Sequence, residues 1–143
     1  MDRRGFIGQA ASAALLMGGV FGPAGAQGGK PPRKVTVSGH LWVYAAEQPG
    51  YDPTPVLDQV FADFAYAGID NVELMHQALR RVEAVDRIGN LKEKHRLGVL
   101  GTSYEANMWD AAQHGRILDD AGQVITRLAQ LGGRTFGVSV GAA

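Results

Sequence analysis

Two kinds of pattern alternate along the chain after its first thirty residues: short runs rich in β-branched side chains, and longer stretches where apolar positions recur every three or four residues. Residues 34–40, KVTVSGH, predict a first strand. From Pro53 the period turns helical, with Val56, Leu57, Val60, Phe61, Phe64 and Ala65 on one face. Asp52 before Pro53 fits an N-cap, and Gly68 fits a C-terminal stop. Residues 71–75, NVELM, predict a second strand. A more charged helix is expected over 80–96, with Leu79, Val82, Val85 and Ile88 inward and Gly89 weakening its middle. Residues 97–102, LGVLGT, predict a third strand. The clearest helix spans 115–131: Ile117, Leu118, Ala121, Val124, Ile125 and Leu128 share a face, and Gly132 and Gly133 end it. Residues 135–140, TFGVSV, are the fourth strand.

The order β-α-β-α-β-α-β implies parallel pairing through right-handed crossovers, an α/β fold. The apolar strands suggest a sheet covered by helices. Two architectures fit: a small open sheet, for which a flavodoxin-like fold would want a fifth strand, or the first four strands of a (β/α)8 TIM barrel. Such a barrel takes about 250 residues, so four units in this chain are close to half of one, an incomplete barrel. Its first and fourth strands would then have open edges, which invites self-association.

The N-terminus changes the picture in a different way. Arg3 and Arg4 precede an apolar run over 6–21, and Ala24-Gly25-Ala26 reads as an A-x-A cleavage site, so residues 1–26 are expected to be a signal peptide. Arg3-Arg4-Gly5-Phe6 resembles the twin-arginine export signal, although Asp2 and Gly8 depart from it. The expectation is an exported, periplasmic protein. Its apolar run is shorter than the ~20 residues of a spanning helix and is diluted by Gly18, Gly19 and Gly22, so no stable membrane insertion is expected after cleavage. Residues 27–33 form a Gly/Pro linker, and 34–143 the folded domain.

Hydrophobic content of 45% with 20% charged residues is that of an ordinary globular domain. The 14 basic and 14 acidic residues cancel, so nucleic acid is not an expected partner. There is no cysteine, hence no disulfide, thiolate metal site or cysteine nucleophile. Gly101 to Glu105, GTSYE, is not a nucleophile elbow, because Glu105 stands where the second glycine belongs.

Residues 67–75, AGIDNVELM, and 95–110, HRLGVLGTSYEANMWD, carry a resemblance when taken with Leu131-Gly132. In this order they resemble the xylose-isomerase-like barrels, the sugar phosphate isomerases and epimerases, over the whole of 35–140. The resemblance implies a sugar or polyol substrate and a pocket carboxylate at Glu73, the candidate catalytic group. It also implies a divalent metal (Mn, Mg, Co or Zn) held by strands beyond the fourth, so no metal ligand is assigned in this chain.

In a parallel barrel function sits at the carboxyl ends of the strands. There the sequence puts His40, Trp42 and Tyr44 after the first strand and His76 at the second, with Ser103, Tyr104, Glu105, Asn107, Trp109 and Asp110 after the third. Hydroxyls need hydrogen-bonding partners and rings pack on the C–H face of a sugar, which makes His40, Trp42, His76, Tyr104 and Trp109 the candidate substrate-binding residues. Each ring could equally pack over the end of the core, and the two histidines could be metal ligands or merely bonded within loops. Two functional classes follow. One is an isomerase- or epimerase-like protein whose chemistry is completed by further strands. The other is a non-catalytic truncated product or binding module that pairs through its open edges, as in a homodimer.

Overall fold

The computed structural model describes residues 35–141; the predicted signal peptide over 1–26, the linker and Lys34 lie outside the described residues. Four strands, β1 (Ser38–His40), β2 (Asn71–Met75), β3 (Gly98–Glu105) and β4 (Thr135–Ser139), form one parallel sheet in sequence order. Between them run α1 (Trp42–Ala45), α2 (Leu57–Tyr66), α3 (His76–Leu79), α4 (Ala84–His95) and α5 (His114–Gln130). The α/β repeat and its parallel sheet are those the hydrophobic pattern predicts.

Leu57, Val60, Phe61 and Phe64 of α2, Ile88 and Leu91 of α4, and Val124 and Leu128 of α5 are all buried together with Val72, Leu74 and Val99 of the sheet. Each such side chain removed from water contributes ~1.5–3 kcal/mol. Gly39 is required by the packing: a Cβ there would lie 2.5 Å from the Phe64 ring. Thr102 is a polar member of this core; it is fully buried, and its hydroxyl donates to the Leu74 carbonyl at 3.1 Å.

All three long helices end in one device. The N–H of Gly68 bonds to the Ala65 carbonyl and that of Ile69 to Phe64, with Gly68 at φ +74°. Gly132 and Gly133 repeat this after α5 against Ala129 and Leu128. These are Schellman motifs, for which a left-handed residue is needed. After α4 the left-handed position is held by Arg96, at φ 56°.

Several expected boundaries move. The first strand is shorter, and Val35 and Val37 before it are exposed. Asp52 is not the N-cap of α2: it accepts the Thr54 N–H at 2.9 Å one residue before Pro53, which caps a 3-10 turn over Thr54–Val56, and α2 follows from Leu57. The helix expected over 80–96 begins only at Ala84, as α4, and a separate helical turn, α3, precedes it over His76–Leu79. Leu79 and Ala84 are both buried, yet in one continuous helix they would sit about 140° apart, and the break resets the phase. Val82, expected inward, falls in the break and is 87% exposed. In α5, Leu118 and Ile125 face solvent instead of the core.

The third strand runs three residues further than expected, so Ser103, Tyr104 and Glu105 lie within β3. Helices cover one face of the sheet. The other carries Glu73, Ser103, Glu105 and Ser139, none of them buried.

Candidate functional site

A cleft of about 670 Å3 opens at the carboxyl ends of the strands, lined by His40, Met75, His76, Ser103 and Glu105 and, from β4, by residues 137–139. Trp42, from α1, and Tyr51, from the loop after it, border the same space. Short strands followed at once by helical turns bring these residues together: α1 begins two residues after His40, and α3 begins at His76 itself.

His40 is fixed from both sides. Its Nδ1 accepts the Trp42 backbone N–H at 3.0 Å, and its Nε2 lies 3.0 Å from Ser103 Oγ, across β2. A nitrogen that accepts an N–H carries no proton, so in the neutral ring the proton is on Nε2 and is donated to Ser103. Ser103 is thereby an acceptor toward His40 and keeps its own proton free to give. This is the reverse of the arrangement that activates a serine nucleophile.

His76 is 6% exposed, and its ring tilts against Tyr104 with centroids 5.0 Å apart. Burial lowers its pKa from 6.5, the Arg80 cation lowers it further, and a hydrogen bond to the Ser103 backbone opposes both. The ring is therefore neutral at pH 7.

Tyr104 occupies the helix-facing side of β3. It is 2% exposed, and its hydroxyl donates to Asp120 at 2.9 Å and to the Ile117 carbonyl at 3.3 Å. Arg80 grips the same Asp120 with three N–H···O contacts of 2.6–3.1 Å. The Arg80 bonds, aided by Tyr104, hold the Asp120 carboxyl below its ordinary range. This network anchors α3 and α5 behind the cleft, and Tyr104 contributes its ring to the wall.

Of the six residues singled out from sequence, the cleft brings together His40, Trp42, His76 and Tyr104. Glu73 does not line it. It is paired with His40 and Gly101 on the open face of the sheet, deeper along β2. Trp109 lies in the turn after β3, 55% exposed and outside the cleft. Asp110, also at that end, caps the 3-10 turn before α5 by accepting the Ala112 N–H at 3.0 Å.

Among the lining residues outside the sequence-based choice are Ser103 and Glu105, which the sequence placed after the third strand without a role, and Gln77 and Tyr51. Gln77 Oε1 is buried without a hydrogen-bond partner, and Tyr51 holds a left-handed backbone at φ 54°. The Gly50-Tyr51-Asp52-Pro53 turn signal could have drawn attention to Tyr51; nothing local marks Gln77.

Among the described residues no group of three or more His, Asp or Glu is placed to hold a metal ion. Both nitrogens of His40 are engaged, so these residues alone do not fit the metal that the resemblance implies. Among the described residues no helix is long and apolar enough to cross a membrane. The chain matches no protein-family model, no curated protein and no solved structure.

Proposed function

We propose that this chain is an exported protein, built like the first four strands of a xylose-isomerase-like barrel, that binds a sugar or polyol at the carboxyl ends of its strands. The observation that carries the reading is the cleft, where the His40–Ser103 pair, neutral His76 and the Trp42 ring meet at the ends of parallel strands. Strand ends are where such sheets bind their ligands. In sugar isomerisation or epimerisation a proton or hydride moves next to a carbonyl. Neutral His76 can take a proton, Ser103 can donate a hydrogen bond to a carbonyl oxygen, and Glu73 is the carboxylate on the same open face. The divalent metal of such chemistry, and its ligands, would come from further strands.

The test uses Trp42 as reporter. Titration with aldoses, ketoses and linear polyols is expected to change tryptophan fluorescence saturably, and Trp42→Phe to remove the change while Trp109→Phe keeps it. No saturable response to any of them would refute the reading.

A second reading is a binding module that pairs with its own copy. It is favoured by the position of β1 and β4 as the sheet's two edges and by the 53% exposure of Val138 on β4.

A further inference from the structure

We infer that the cleft selects an unphosphorylated, uncharged sugar or polyol, recognised by Ser103 as hydrogen-bond donor and Gln77 as acceptor, with Glu105 turning anions away. The inference rests on the sugar-binding reading and narrows it.

No Lys or Arg is among the residues that line the cleft, while the Glu105 carboxylate is. The two arginines that follow His76 and Gln77 in the chain are committed elsewhere: Arg80 to Asp120 and Arg81 to Asp52, at 2.6 and 3.0 Å. His76, which could supply a positive charge, is held neutral by burial. A phosphoryl group entering here would meet the exposed Glu105 carboxylate and no cation, and like charges brought together oppose binding.

The polar groups that are present match hydroxyls instead. His40 donates to Ser103, which leaves the Ser103 proton for a ligand oxygen. Gln77 Oε1 is buried and unpartnered, a cost that a hydroxyl donor from a ligand would remove. A donor and an acceptor on one cleft, with the Trp42 ring at its border, suit adjacent hydroxyl or hydroxy-carbonyl groups on a short carbon chain.

The experiment is calorimetric titration of the protein with D-xylose and with D-xylose 5-phosphate, repeated on Gln77→Met and Glu105→Gln. The free sugar is expected to bind on the order of ten-fold more tightly or better, a gap that Glu105→Gln narrows. Gln77→Met is expected to weaken xylose by about five-fold or more, yet to raise Tm by roughly 4 °C because an unpartnered buried acceptor is removed. Tighter binding of the phosphate would overturn the inference while leaving the sugar-binding reading in place. A lowered Tm in Gln77→Met would overturn the role of Gln77, since it would reveal a structural bond. Binding of neither compound would overturn the sugar-binding reading and the inference with it.

Discussion

Nε2 of His40, at the end of β1, meets Oγ of Ser103, two strands away in β3, at 3.0 Å. The contact spans the middle strand and ties the mouth of the cleft together, and the Trp42 N–H on Nδ1 decides which way its proton points. The ring is expected to carry its proton on Nε2 alone at pH 8. Long-range 1H–15N spectra of the imidazole would show this, and Ser103→Ala is expected to keep the same tautomer, because the Trp42 N–H still donates to Nδ1. A protonated Nδ1 in the wild type would contradict the donor role assigned to Ser103.

The buried ring of His76 makes stability depend on pH. Its folded-state pKa lies below the ordinary 6.5, chiefly through burial and then Arg80. Between those two values the unfolded chain binds a proton that the folded chain does not, so stability is complete above pH 6.5 and falls as the pH drops through the window. The slope can reach about 1.4 kcal/mol per pH unit. Tm measured from pH 8 to pH 5 should fall in the wild type and fall less steeply in His76→Phe, which keeps a ring against Tyr104. Asp120, depressed by Arg80, adds a separate loss only below the ordinary carboxylate value of 3.8.

Two positions, one inside α4 and one just past its end, are suboptimal. Gly89 sits inside α4 with open space around it, and Arg96 holds the left-handed position that glycine fills after α2 and α5. Gly89→Ala should stabilise the fold by about 0.5–1 kcal/mol. Arg96→Gly should add a similar amount, of order 1 kcal/mol, by relieving the left-handed strain. Urea midpoints at unchanged slope would measure both; a lower midpoint for Arg96→Gly would mean that the arginine side chain has a structural role.

The strand–helix repeat was legible because each unit is punctuated. The apolar face of α2 and the glycine stops at Gly68 and Gly132 are local signals, and they mark real Schellman ends. The break at 80–83 was not legible: Leu79, Val82, Val85 and Ile88 recur every third residue, which passes for helical spacing, and only the burial of both Leu79 and Ala84 forces the phase change. At the site, position after a strand identified His40 and His76. Tyr104 also lines the cleft with its ring, but nothing local signalled that its hydroxyl is bound behind the sheet by Asp120, sixteen residues on. Gln77 stayed invisible because a buried atom without a partner is a property of packing.

Glu73 stands apart from the cleft, on the open face of the sheet beside His40. Under the proposed isomerase reading, Glu73→Gln is expected to slow exchange of deuterium from D2O into the carbon next to a sugar carbonyl by about 10²–10⁴-fold. Unchanged exchange would remove Glu73 from the chemistry.

Open edges at β1 and β4 and the exposed Val138 and Val140 predict association. Sedimentation velocity over a range of concentrations should show dimer, and Val138→Lys on the edge strand should return monomer. A wild type that sediments only as monomer would dispose of the paired-module reading.

The most direct test of the central claim is a chemical-shift map of the 15N-labelled protein titrated with D-xylose. Sugar binding at the strand ends predicts saturable shifts concentrated at His40, Trp42, His76, Gln77 and Ser103, with α5's outer residues Leu118 and Ile125 unmoved. Shifts confined to that outer helix, or none at all, would contradict it.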